Sequence, residues 1–137
     1  MIMTEKETKD KKQNALDVLN LLFPRYKISI LPRSIMFNTE GNNIMIDENN
    51  FDELIMNKKY DYVIDACDDI NLKFLLIKNA NKYKLISSMG TANKIDPSSF
   101  SITTLDKTSN DPIARILRKK VKDAKLHRKF KVVSSTE

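Results

Sequence analysis

Hydrophobic and polar positions along the 137 residues alternate between two periods. Ala15, Leu16, Val18, Leu19, Leu22 and Phe23 recur at helical spacing over three turns, and Pro24 closes that helix. Tyr26 to Leu31 alternates and predicts a half-buried strand. From Pro32 to Asn50, short apolar runs at Ile35–Phe37 and Ile44–Ile46 flank a turn-rich centre, which predicts a loop or a small edge hairpin. Phe51 to Met56 predicts a short helix. Tyr60 to Ala66 is the strongest strand, a central apolar run of the kind found in buried parallel sheets. Leu72, Leu75, Leu76, Ala80 and Tyr83 follow at helical spacing, and Lys84 to Ser88 forms the next strand. Strand, helix and strand in this order predict a βαβ unit with a right-handed crossover. A further strand over Phe100–Thr103, a helix opening at Pro112 and a last strand over Phe130–Ser134 complete the pattern. The expected class is α/β, a partial Rossmann-like, mostly parallel sheet with flanking helices. Residues 1–12 form a polar lead and residues 13–137 the domain.

Composition narrows this picture. Hydrophobic residues make up 41% and charged residues 31% of the chain, ordinary values for a folded domain. No apolar run approaches the ~18 residues of a membrane span. The opening residues are too polar for a secretory signal, and one cysteine, Cys67, allows no internal disulfide. A cytoplasmic protein with no membrane partner is expected. The net charge of +6 is concentrated: Thr103–Glu137 holds ten Lys/Arg against four Asp/Glu. Such a surface is either a solvated face or one that attracts a phosphate backbone.

Three features bear on chemistry. Ligands of open parallel sheets sit beyond the carboxyl ends of the strands, where Asp65, Asp68 and Asp69 fall. Each is suited to holding a hard cation on a nucleotide phosphate; alternatively, Asp68 or Asp69 caps the helix beginning near Ile70. Asp111 and Pro112 open an amphipathic helix in which Ile113, Ile116, Leu117 and Val121 face one way. Arg115, Arg118, Lys119 and Lys122 form the opposite stripe, a solvated face or a contact for nucleic-acid phosphates. The third feature is an absence. Nucleotide folds of this kind use a glycine-rich turn to bring the backbone against phosphates. The only two glycines here, Gly41 and Gly90, lie far apart and outside such a context. His127, alone among basic residues, reads as a surface residue, and Cys67 as a small buried filler.

Three stretches carry a family resemblance. They are Tyr60–Asp68 with Lys73; Ser88-Met-Gly-Thr-Ala-Asn-Lys-Ile-Asp-Pro97; and Lys107–Arg118, which contains Asp-Pro-Ile-Ala-Arg, followed by Val132–Glu137. In this order the chain resembles the tRNA threonylcarbamoyladenosine dehydratases of the ThiF/MoeB/HesA, ubiquitin-activating-enzyme-like superfamily. The resemblance runs from Tyr60 to the end, and more loosely over Lys11–Tyr26. It implies ATP-dependent dehydration and cyclisation of a tRNA nucleoside through an adenylated carboxylate. The implied cofactors are ATP and Mg2+, and the implied partners are tRNA and a second copy of the chain. Asp68 matches the family aspartate that faces metal and phosphates. Lys11 corresponds to a nucleotide-contacting lysine, although Thr8 and Phe23 replace a glycine and an asparagine of that motif. The glycine-rich loop and its flanking strand and helix have no counterpart, and the stretch between Leu31 and Asp52 is roughly ten residues longer than usual. A truncated or split enzyme, inactive alone, is therefore expected. A non-catalytic RNA-binding or complementing subunit is one alternative. Another is an adenylyltransferase acting on a ubiquitin-like sulfur-carrier protein, with a cysteine-desulfurase-linked partner.

Overall fold

The computed structural model describes residues 5–30, 35–37 and 43–137. The chain divides into two compact units, Met1–Ile46 and Asp47–Glu137.

In the first unit, helix α1 spans Glu5–Leu22. It starts well before the apolar spacing begins, so most of the expected polar lead is helical. The reason is composition: Glu, Lys, Gln, Ala and Leu are strong helix formers even without an apolar face. Gln13 also donates to Asp17 one turn on, at 2.8 Å. Helix α1 ends just before Pro24, as expected. Strands β1 (Ile35–Phe37) and β2 (Asn43–Met45) pair antiparallel, which bears out the small hairpin; its turn lies outside the described residues. Lys27–Ile30 form no strand, contrary to the alternation of the sequence. Alternation permits a strand, but only a neighbour's hydrogen bonds create one.

The second unit begins with the one-turn helix α2 (Phe51–Leu54), which buries Phe51. Next come β3 (Tyr62–Asp65), α3 (Ile70–Lys78), β4 (Lys84–Ser88), β5 (Phe100–Thr103), α4 (Pro112–Asp123) and β6 (Lys131–Ser135). The sheet order is β3-β4-β6-β5. Strands β3, β4 and β6 are parallel, and β5 closes the edge antiparallel to β6. This is the expected α/β class with a mostly parallel sheet.

Register puts Val63 beside Leu85, Asp65 beside Ser87, and Ser87 beside Val132. That face is buried, with Leu85 and Val132 at its centre. It is covered by Leu72, Leu75 and Leu76 of α3 and by Ala114 and Leu117 of α4. The opposite face carries Ile64 and Ile102, 77% and 66% exposed. Among the described residues no helix is long and apolar enough to cross a membrane.

Candidate functional site

Because β3, β4 and β6 are parallel, their carboxyl ends share one edge. There the chain leaves β3 through Ala66–Asp69, leaves β4 through Met89 and Gly90, and reaches its last residues after β6.

The three acids at the end of β3 and just after it take three different roles. Asp69 is the N-cap of α3, accepting from Asn71 N at 2.8 Å and Leu72 N at 3.1 Å. Asp65 is buried and fully engaged. Its Oδ1 accepts from Cys67 N at 3.1 Å and Cys67 Sγ at 2.9 Å. Its Oδ2 accepts from Ser87 Oγ at 2.5 Å and Lys73 Nζ at 3.1 Å. Lys73 also donates to the carbonyl of Ser88 at 2.6 Å. Both side chains of this ion pair are 0% exposed. Asp68 alone is exposed on the edge.

Cys67 is half-buried rather than fully packed. Burial and its hydrogen bond to Asp65 push the thiol up to about 12, which disfavours the nucleophilic thiolate.

A second buried carboxylate, Asp111, organises the rest of the edge. It caps α4 through Ala114 N at 3.0 Å, accepts from Gly90 N at 3.0 Å, and meets Ser134 Oγ at 3.5 Å. One side chain thus ties the end of β4, the start of α4 and β6 together. Gly90 is close to this carboxylate: a Cβ there would stand 3.4 Å from Asp111 Oδ1. The surrounding loops are linked in turn. Lys94 donates to the carbonyls of Asn110 and Glu137, and Glu137 Oε2 accepts from Ile95 N and Asp96 N, both at 3.0 Å. Asn93 and Asn110 adopt left-handed backbone, with φ of 62° and 56°, a conformation asparagine tolerates.

The basic stripe of α4 is placed unevenly. Arg115, Lys119 and Lys122 are exposed. Arg118 is half-buried and turned inward; its Nη1 donates to the Leu105 carbonyl at 3.3 Å, the Thr108 carbonyl at 3.0 Å and the Thr108 hydroxyl. Its guanidinium therefore ties the Leu105–Lys107 turn to α4, a packing role that a wheel of spacings does not distinguish from a surface cation. Ile116, placed on the apolar side by spacing, is 41% exposed. Lys11 is an exposed residue of α1 and belongs to the first unit. His127 is exposed, as expected.

Among the described residues, no group of three or more His, Cys, Asp or Glu side chains is arranged to hold a metal ion. A single outward carboxylate fits a magnesium ion whose other ligands are phosphate and water. Asp68 meets that condition; Asp65, with both oxygens engaged and buried, does not, and Asp69 gives one oxygen to the cap of α3. Sequence spacing missed the Asp65–Lys73–Ser87 network. Its one visible signal was a lysine set among the apolar residues of α3.

No family model matches the chain. It is 46% identical over 79 residues to the tRNA threonylcarbamoyladenosine dehydratase of Bacillus subtilis, a stretch covering 56% of this chain and 31% of that protein. With tRNA threonylcarbamoyladenosine dehydratase 2 of Saccharomyces cerevisiae it shares 37% identity over 79 residues, 56% of this chain and 18% of that protein. In structure it matches the Escherichia coli tRNA N6-threonylcarbamoyladenosine dehydratase with a TM-score of 0.68 at 26% identity, over 93% of this chain and 52% of that one. The same enzyme solved in complex with ATP gives a TM-score of 0.67 at 26% identity, over 93% and 51%. The chain is thus similar to these dehydratases in sequence and in fold; it spans about half the length of the structures it matches and about a third or less of the curated relatives.

Proposed function

We propose that this chain supplies the metal-facing and RNA-facing part of an ATP-dependent enzyme that dehydrates and cyclises threonylcarbamoyladenosine in tRNA. The observation that carries the reading is Asp68, an exposed carboxylate at the carboxyl edge of a parallel sheet, in a chain 46% identical over 79 residues to such a dehydratase. In this chemistry a substrate carboxylate attacks the α-phosphorus of ATP and pyrophosphate leaves. An attack from within the same side chain then displaces AMP and closes the ring. Asp68 would hold magnesium, which offsets phosphate charge when bound. Asp65 and Lys73 fix the turn that carries Asp68. Arg115, Lys119 and Lys122 face outward from α4 as cations for RNA phosphates, whereas Arg118 supports them from inside.

The two glycines cannot form a phosphate loop, so these residues alone are expected to give no ATP–pyrophosphate exchange. The decisive test is a chimera in which residues 60–137 replace the matching stretch of the Bacillus subtilis enzyme. In a strain lacking the cyclised nucleoside, mass spectrometry of digested tRNA should find it restored, and Asp68→Asn should abolish it without lowering stability. A folded chimera that makes no cyclised nucleoside would overturn the reading. If that inactive chimera still binds tRNA, the non-catalytic RNA-binding subunit takes its place.

A further inference from the structure

At the opposite edge of the sheet, β4 and β6 begin with Lys84 and Lys131. Here the sheet, the end of α4 and the segment before β6 enclose a groove of about 1020 Å3. Its floor includes the buried side chains of Tyr83, Leu85 and Leu105. Its lining is strongly polarised: six cationic side chains against one carboxylate, Asp106. Four of those cations, Lys84, Lys122, Lys129 and Lys131, are exposed. Besides Tyr83, two aromatic rings line it, Tyr62, which is 59% exposed, and the half-buried Phe130. The Lys84 ammonium lies 5.2 Å from the centre of the Tyr62 ring.

A solvated basic face needs neither a concave apolar floor nor an exposed aromatic ring. A globular acidic protein would satisfy the charge but leave the rings unused. Cations that track a backbone beside rings on which bases stack are the combination that binds single-stranded nucleic acid. We propose that this groove binds an unpaired segment of RNA, with the four lysines on successive phosphates and a base stacked on Tyr62. The inference deepens the dehydratase reading, on which the choice of RNA rests. It adds a binding surface at the strands' amino edge, away from Asp68. Lys122 joins this groove to the outward stripe of α4, so one RNA can run from the helix into the groove.

The test is fluorescence anisotropy of the full chain with a labelled single-stranded RNA 12-mer over a range of KCl. Four phosphate contacts predict a slope of log K against log salt of about −3, at about 0.7 per contact. By the same relation, extrapolated to 1 M salt, Lys84→Gln/Lys131→Gln should weaken binding about 25-fold at 0.1 M salt. Lys6→Gln/Lys27→Gln, the same charge change on exposed residues elsewhere, should change it less than about threefold. Tyr62→Leu should lose about fivefold or more and leave the salt slope unchanged, because stacking involves no counterion release. Circular dichroism melts establish that each variant is folded. Equal losses from the two lysine pairs, no loss from Tyr62→Leu in a folded variant, or displacement of the RNA by an equal charge of polyglutamate would each overturn the proposal. None of these results depends on ATP chemistry, so failure here leaves the chimera test standing, and the reverse also holds.

Discussion

Replacing Lys73 by Met should be among the most damaging single changes in the second unit. Met fills similar space among the apolar residues of α3, so packing is largely kept. What is lost is the cation. Asp65 and Lys73 are both fully buried and 3.1 Å apart. Without the ammonium, Asp65 retains Ser87 Oγ and the Cys67 amide, neutral donors that do not balance its charge. Breaking a buried pair from one side costs about 3–5 kcal/mol, because the stranded charge stays out of water. The Ser88 carbonyl, which accepts from Lys73 at 2.6 Å, also loses its charged donor. Against a domain stability of ~5–15 kcal/mol, that loss is large. Asp65→Asn should cost a similar amount, since it leaves the ammonium unpaired. The double variant removes both charges and should cost less than the two single losses together, with a coupling energy of about 3 kcal/mol, the upper end for residues in contact. Urea unfolding followed by circular dichroism measures all four corners of the cycle. A Lys73→Met loss below about 1 kcal/mol, or additivity within about 0.5 kcal/mol, would refute the view that this pair holds the edge together.

Two further outcomes follow, one from this edge and one from buried groups at both edges. Asp111→Ala removes the α4 cap together with the acceptor for Gly90 N. A cap is worth about 1 kcal/mol and a buried donor left unpaired about 1–3 kcal/mol, so a loss of about 2–4 kcal/mol is expected. Amide exchange at Gly90 and Ala114 should speed up more than at Leu85. Stability should also fall as pH rises from about 9 towards 12. Burial raises both the Cys67 thiol, to about 12, and the Tyr83 hydroxyl, so the folded chain keeps protons that the unfolded chain releases above their ordinary values of 9.0 and 10.0. With the unfolded state binding fewer protons, the slope of stability against pH is negative in that window. Urea midpoints between pH 8 and pH 10.5 test the sign, and Cys67→Ser should flatten the first part of the fall.

Period and apolar run length made much of the sheet legible. Val63, Leu85 and Val132 sit in strands whose positions follow from the sequence, and α4 announced itself through Asp111 and Pro112. The antiparallel β5 is also where its short apolar run put it. Misreadings arose where long-range pairing or composition overrode local pattern. Ile28 and Ile30 alternate like a strand, yet Lys27–Ile30 form none. Residues Glu5–Asn14 lack an apolar face, yet they form helix because their side chains favour it. At the site, spacing placed Asp65, Asp68 and Asp69 together but could not divide their work. That division depends on Lys73 reaching back eight positions and on Ser87 lying opposite in register. Arg118 was read as surface for the same reason: its carbonyl partners come from a turn ten and thirteen residues earlier.

The division among the acids also sets what this edge can do. A buried carboxylate whose oxygens already accept from amides and a hydroxyl, and at Asp65 from an ammonium as well, has little capacity left for a cation. Asp65 and Asp111, both buried, are therefore joints, and their role is to remove freedom from the backbone around them. Asp68 is the reverse: exposed, and placed three residues after one joint and one residue before the helix cap at Asp69. Its short tether is fixed at both ends, so its direction is set by Lys73 and Asp65, neither of which faces the solvent. An error of about 1 Å in a positioning group is enough to cost about a hundredfold in rate. Placement of the exposed acid therefore inherits the rigidity of the buried pair, and damage to that pair should reach the metal-holding role proposed for Asp68 even where the protein stays folded.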